Sequence, residues 1–161
     1  MTIAENHWFT AKDVVRRAVR TSLHCSIAST NADGSSHVTP IGSVLLGDIG
    51  EAIYFDVFNK RLAGNIERHP RVTILAVDSG RLMWLRSLAR NQFVAEPGVR
   101  LIGVVGPARE STPTEIHRFQ SVVGPLLRTR GGQTLWGRLP RVRDVTVEDV
   151  ELLSVGPMTR N

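Results

Sequence analysis

The chain has one cysteine, Cys25, in 161 residues, so an internal disulfide is excluded and a reducing compartment, the cytoplasm, is expected. No apolar run approaches the length of a membrane-spanning helix, and no membrane partner is expected. The first eight residues, Met1 to Trp8, include an acid and lack an apolar stretch, which is not the pattern of a secretory signal. Aromatic residues make up 6% of the chain, with no interleaved ladder, RNP-like motif or Cys/His finger. That scarcity weighs against a nucleic-acid partner in spite of the net charge of +5. Neither a Gly-x-Gly-x-x-Gly run nor a Gly-x-Ser-x-Gly elbow is present, which removes support for a Rossmann nucleotide site or a serine hydrolase. The five histidines, His7, His24, His37, His69 and His117, have no metal-ligand spacing, and no metal is expected.

What is present describes an ordinary globular chain, 42% hydrophobic and 22% charged, read as one domain over 1–161 with 1–9 as a flexible N-terminal segment. Lysine occurs only as Lys12 and Lys60, so arginine supplies 18 of the 20 basic residues. Arginine suits bidentate recognition of phosphate and carboxylate. Arg128, Arg130, Arg138, Arg141 and Arg143 cluster in sequence and suit a phosphate, a nucleic-acid backbone or a partner subunit. Cys25, on an early strand, reads as a small buried hydrophobe rather than a nucleophile.

The periodicity predicts a helix from Thr10, with Asp13 completing a cap-like start and Val14, Val15, Ala18 and Val19 on its apolar side. Strands follow at Leu23 to Thr30, His37 to Leu46 and Ala52 to Val57, the first two joined by the turn residues Asn31 to Ser35. A helix from Arg61 to Arg68 must stop before Pro70. Val72 to Asp78 reads as a central strand, while Leu82 to Arg90 fits either a helix or a strand. Val99 to Ala108 is a strand. The longest helix is expected to open at Ser111 to Glu115, bury Ile116, Phe119, Val123 and Leu126, kink at Gly124-Pro125 and end at Gly131-Gly132. Val142 to Leu153 closes the series. About six strands with three or four flanking helices predict a mainly β, α+β fold, an antiparallel barrel with helical additions.

The most informative stretch is Ile53 to Val77, a strand, a polar basic turn, a short helix and a second strand. Asn59, Lys60 and Arg61 place donors and two positive charges where strand meets helix. This suits either an anion at the helix start or a plain solvated turn.

Val38-Thr39-Pro40-Ile41-Gly42, the Tyr54-Phe55 strand, the basic turn, Asn65-Ile66 and Pro70 to Ile74, taken in order, resemble the pyridoxamine 5'-phosphate oxidase-like family of flavin-binding split β-barrels. The later strand from Gly98 to Gly106 fits its second half, so the resemblance covers about residues 10–155. It implies a homodimer holding FMN, or in relatives F420 or haem, in clefts between subunits, and an oxidoreductase acting on a small-molecule substrate. By position, His37, Val38, Thr39, Pro40 and Ile41 would border the flavin ring. Asp56, Asn59, Lys60, Arg61 and Asn65 would face its phosphate. Trp136, expected in a loop, and Trp84 suit either a cover over the cofactor or core and interface packing. The chain departs from the family pattern at Leu62, where a basic residue is usual, at Lys60, where a serine or threonine is usual, and at Asp56, where a hydroxyl is usual. A carboxylate beside a phosphate needs a neutralising neighbour. No catalytic acid or base is named, because in such proteins the cofactor performs the chemistry. The alternative is a non-catalytic split-barrel dimer that stores a cofactor or has an empty cleft.

Overall fold

A computed structural model describes residues 3–159. The order is α1 (Glu5–Ser22), β1 (Cys25–Thr30), β2 (Ser36–Ile41), β3 (Val44–Leu46), β4 (Glu51–Phe55), α2 (Lys60–Arg68), β5 (Arg71–Val77), α3 (Arg81–Arg90), β6 (Gly98–Glu110), α4 (Pro113–Val123), α5 (Arg130–Trp136) and β7 (Arg141–Leu152). Short 3-10 turns occupy Gly124–Arg128 and Gly156–Met158. Every strand pair is antiparallel, in the order β2-β1-β5-β6-β7-β4-β3, and the sheet curls into a half-barrel. Its two edge strands, β2 and β3, are consecutive in the chain, so Gly42 and Ser43 carry the backbone from one edge to the other. The segment read as a single strand from His37 to Leu46 breaks there, which raises the strand count to seven. A side chain at Gly42 would place its Cβ 2.9 Å from the Leu23 carbonyl oxygen. The Ser43 hydroxyl bonds both the N–H and the C=O of Phe55, standing in for a ladder residue.

α1 is longer than expected because its first turn is anchored. Trp8 is buried and its indole N–H donates to the Gly47 carbonyl at 3.3 Å, so residues 5–9 of the segment read as flexible belong to the helix, while residues 1 and 2 lie outside the described residues. The helix therefore begins at Glu5, and the Thr10 hydroxyl bonds the Asn6 carbonyl within it instead of capping it. Trp8, Ala11, Val14, Val15, Ala18 and Val19 all face the sheet. That spacing is the apolar stripe of a 3.6-residue repeat. β5 lies between β1 and β6 and alternates buried and half-buried residues, with β6 holding the central place. β6 and β7 form the longest pair, interrupted by two register shifts. At one of them Gly103 approaches Thr146 so closely that a Cβ would stand 2.2 Å from its carbonyl oxygen; only glycine fits this bulge.

α4 opens as its sequence predicts. The Thr112 hydroxyl accepts from the Glu115 N–H at 3.2 Å, Glu115 accepts from the Thr112 N–H at 2.8 Å, and Pro113 sits in the first turn. Gly124, at φ +50°, ends α4 in the 3-10 turn, which leaves Leu126 38% exposed, and α1 rather than α4 is the longest helix. Gly131 and Gly132 lie inside α5 instead of ending a helix, because the Thr129 hydroxyl caps the Gly132 N–H and starts a new turn. Five α-helices result among the described residues. No helix among the described residues is long and apolar enough to cross a membrane.

Glu115 also pairs with Arg109 at 2.6 Å, and this hydrogen bond, more than the cap, holds its carboxyl below the usual 4.5. The native carboxylate is thus favoured, and its contribution is complete above 4.5 and lost as pH falls through the lowered native value. Glu115→Ala is expected to cost about 1 kcal/mol at pH 7. In denaturant melts the gap to wild type closes as the pH is lowered; a pH-independent gap refutes the assignment.

Candidate functional site

The site begins where β4 ends. Asp56 leaves the strand with its N–H on the Arg141 carbonyl at 3.0 Å, and its carboxylate accepts from Arg143 Nε at 2.8 Å. Both side chains are buried, with 8% and 4% exposure. Arg143 also donates to Glu67 at 3.0 Å and to the Gly106 carbonyl at 3.3 Å. Burial pulls the Arg143 guanidinium down, but its bonds to Asp56 and Glu67 outweigh that and raise it overall. Asp56 therefore carries its own neutralising partner. Arg143, in sequence a member of the basic cluster, is an interior residue, while Arg128, Arg130, Arg138 and Arg141 are exposed.

After Asp56 the chain makes a strained turn. Phe58 adopts φ +66° and is 75% exposed. Asn59 precedes α2 without capping it by its side chain, and the first turn holds no acid. The uncapped N–H groups and the exposed Lys60 and Arg61 make this helix start electropositive. Lys60 has no hydrogen bond or ion pair among the described residues.

Asn65 is buried at 1% exposure, and its amide is fully engaged. Its Nδ2 donates to Ser29 Oγ at 3.1 Å and to Asn31 Oδ1 at 3.0 Å, and its Oδ1 accepts from Arg68 at 3.0 Å. His37 Nδ1 lies 3.2 Å from the same Ser29 hydroxyl. Asn65 thus holds α2 against the β1–β2 hairpin, within which His37 meets the shared Ser29 hydroxyl. Along β2, His37 and Thr39 are half-buried and Ile41 is buried, while Val38 and Pro40 are exposed on the other face.

Two hollows flank the start of α2, one bordered by Asn59 and the other by Lys60, with no lining residue in common. One, of about 300 Å³, is largely apolar, and its walls include Pro40, Ile41, Phe58, Asn59 and Trp136. Leu23, Gly42, Ser43, Phe55, Val57, Leu135 and Leu139 complete it, and none of the twelve carries a titratable side chain. Trp136 is the last residue of α5 rather than part of a loop, and it is buried at 7% exposure. The other hollow is wider and open, about 680 Å³, lined by Lys60, Arg61, Asn65 and Arg68 with the hairpin residues Asn31 to Asp33 and Ser35. Asp33 there is held below the usual carboxylate range by the Ser35 hydroxyl and N–H, with a smaller contribution from Arg61. A third hollow, of about 350 Å³, lies beside Arg109, but that guanidinium is already engaged by Glu115 and Asp144.

Of the residues singled out in the sequence, Pro40, Ile41, Asn59 and Trp136 share the apolar cleft, and Lys60, Arg61 and Asn65 share the basic hollow. Asp56 lies beneath them in its ion pair. Trp84 is elsewhere: it stands on α3, its indole N–H bonded to the Asp78 carbonyl at 2.7 Å and its ring edge-on to Phe93. α3 follows the end of β5 that pairs with the start of β1, whereas the hairpin of the basic hollow follows the other end of β1. The sequence reading did not single out Leu23, Phe58 or Leu135. Leu23 and Phe58 both have positive φ, a conformation costly for bulky residues and concentrated at functional sites, and nothing local in the sequence announces it. Cys25 is buried, which pushes its thiol up to about 12 and suits the inert role read from the sequence.

Residues 11–125 match the sequence profile described as pyridoxamine 5'-phosphate oxidase. A search of curated proteins gave no match. Among solved structures, an FMN-binding protein from Syntrophomonas wolfei subsp. wolfei is similar at 8% identity and a TM-score of 0.65, over 94% of this chain and 88% of that one. An F420 reductase is similar at 13% identity and a TM-score of 0.58, over 87% and 94%. The haem storage protein HutZ from Vibrio cholerae is similar at 14% identity and a TM-score of 0.54, over 85% and 89%. At such identities the likeness is one of fold.

Removing one member of the buried pair leaves the other charge without a partner. Asp56→Ala or Arg143→Met is expected to cost roughly 3–5 kcal/mol, and the double variant much less than their sum. The arm to Glu67, whose side chain is 65% exposed, adds at most about 1 kcal/mol. Urea melts of the four proteins measure the coupling, and additive losses would show the pair is not the anchor.

Proposed function

The chain belongs to the pyridoxamine 5'-phosphate oxidase family, and on that premise we propose that its paired hollows hold a flavin-type cofactor, FMN, in an oxidoreductase acting on a small molecule. The observation that carries this reading is the junction at α2. An apolar cleft floored by Trp136 adjoins an uncapped helix start bearing two exposed cations, one wall suited to a flat ring and the other to an anionic tail. The donor set fits a phosphate, since Lys60 and Arg61 supply charge and the first-turn N–H groups supply direction. Asp56 does not oppose it, because Arg143 neutralises that carboxylate from within.

A bound flavin would supply hydride and electron transfer. The residues of this chain bind and orient. Pro40, Ile41 and Trp136 exclude water from the ring's side, and Lys60 and Arg61 hold the tail. Asn65 keeps α2 in place through Ser29 and Asn31. With no titratable group on the cleft wall, no proton carrier is assigned. Exposed apolar side chains line the cleft, Phe58 at 75%, Leu135 at 49% and Leu23 at 42%. They support a second copy closing over the cleft, so that the working unit is a homodimer. The free, buried Cys25 suits the cytoplasm.

A second reading, a non-catalytic dimer that binds F420 or haem or has an empty cleft, draws on Leu62. It is buried at 1% exposure where the family pattern has a basic residue. The absorption spectrum of freshly purified protein, followed by titration with FMN, F420 and haem, separates the two. A flavin spectrum or selective FMN binding, with turnover of a reductant, supports the oxidoreductase; a Soret band, F420 selectivity or no ligand supports the second reading. Lys60→Ala with Arg61→Ala is expected to weaken FMN binding at least about tenfold. The melting temperature should stay unchanged, because both side chains are exposed. Unaltered affinity in this variant rules out the assigned phosphate site.

A further inference from the structure

Helix α3 carries a surface that the cleft does not use. Its inward residues are Met83, Trp84 and Ser87. Trp84 is fixed by the Asp78 carbonyl and by Phe93, whose ring centre is 5.2 Å away. The Ser87 hydroxyl donates to the Met83 carbonyl at 2.8 Å and accepts from the Val94 N–H at 3.2 Å. These anchors determine which way the remaining residues face. At about 100° per residue, Leu82, Leu85 and Ala89 stand opposite the buried side, with Leu88 next to them. Leu82, Leu85 and Leu88 are 60%, 65% and 59% exposed. The three leucines thus point away from the core.

The charges around this ridge have one sign. Arg86 and Arg90 flank the leucines, and Arg81 projects between Leu85 and Leu88. No acid occurs from Gly80 to Ala95. None of the three arginines makes a hydrogen bond or ion pair among the described residues. Of the neighbouring acids, Asp78 is buried and held by Arg17 at 2.5 Å, Thr21 at 3.3 Å and the Gly80 N–H at 2.8 Å. Glu96 is half-buried.

We propose that α3 is a docking ridge for the surface of an anionic phospholipid bilayer. The ridge is convex, with Leu82 and Leu85 at its crest, Arg81 between Leu85 and Leu88, and Arg86 and Arg90 on one slope, and a flat surface of anionic headgroups over an apolar interior satisfies both. A second copy laid α3 against α3 does not, because that pairing brings six arginines together with no acid between them. At ten residues the helix is too short to span a bilayer and lies in its plane. This proposal does not depend on what fills the cleft.

Vesicle flotation of the full chain tests it, with phosphatidylglycerol vesicles compared with phosphatidylcholine vesicles at low and high salt. The wild type is expected to float with phosphatidylglycerol only and to be released by salt. Arg81→Gln with Arg86→Gln and Arg90→Gln should weaken binding on the order of 100-fold, at about fivefold per charge. Leu82→Ser with Leu85→Ser and Leu88→Ser should abolish flotation while circular dichroism and gel-filtration mass stay unchanged. Arg128→Gln with Arg130→Gln and Arg141→Gln removes equal charge elsewhere and should change binding no more than a few-fold. The proposal is overturned by any of four results: no flotation, an equal loss in that control, full binding by the leucine variant, or a change in its oligomeric mass. The last would assign the ridge to a protein interface.

Discussion

The Arg143 guanidinium gathers four elements of the fold. It lies on β7 and meets Asp56 at the end of β4, Glu67 on α2 and the Gly106 carbonyl on β6. A charge taken out of water at this depth is tolerable only if its partners stay within hydrogen-bond distance. The pair therefore fixes where the chain leaves β4, and with it the strained Phe58 turn and the first residue of α2. Tyr54 lies in the same electrostatic environment, its hydroxyl buried without a described partner. Burial first, and then the Asp56 charge, push its pKa up and keep the phenol neutral.

Above this anchor the polar residues divide into two sets. Asn65, Ser29 and His37 are linked by internal hydrogen bonds, and Asn65 holds α2 against the hairpin. Lys60 and Arg61, one turn earlier on the same helix, face water. A buried amide whose donors and acceptor are all engaged gives rigidity, whereas exposed cations at an uncapped helix start remain available to an anion. Rigid support with free charge beside it suits the ligand proposed, because the ordering cost is met during folding rather than on binding.

Much of the fold was legible in the residues. The Asn31 to Ser35 turn, the stop before Pro70, the Thr112–Glu115 cap and the valine stripe of α1 are local devices, and each stands where its sequence put it. The basic turn at the start of α2 was legible for the same reason. Other features depended on distant partners. α1 starts early because Trp8 reaches Gly47, and the strand after His37 breaks because Gly42 passes close to Leu23. α5 exists because Thr129 caps it, although two glycines in a row suggested an end. The segment from Leu82 to Arg90 fitted either a helix or a strand because its leucines face outward, so their spacing does not mark a side buried against the core.

The sequence by itself determined the short-range events: turns, caps, helix stripes and strand alternation, since each depends on residues within a few positions of one another. Tertiary structure alone decided that Arg143 is an interior counter-ion rather than a surface cation, because its partner Asp56 is 87 residues away in sequence. It also brought Trp136 to Pro40 and Ile41 and placed the Trp84 helix at the other end of β1. These juxtapositions follow from the curl and order of the sheet, a property of all seven strands together that no local window contains.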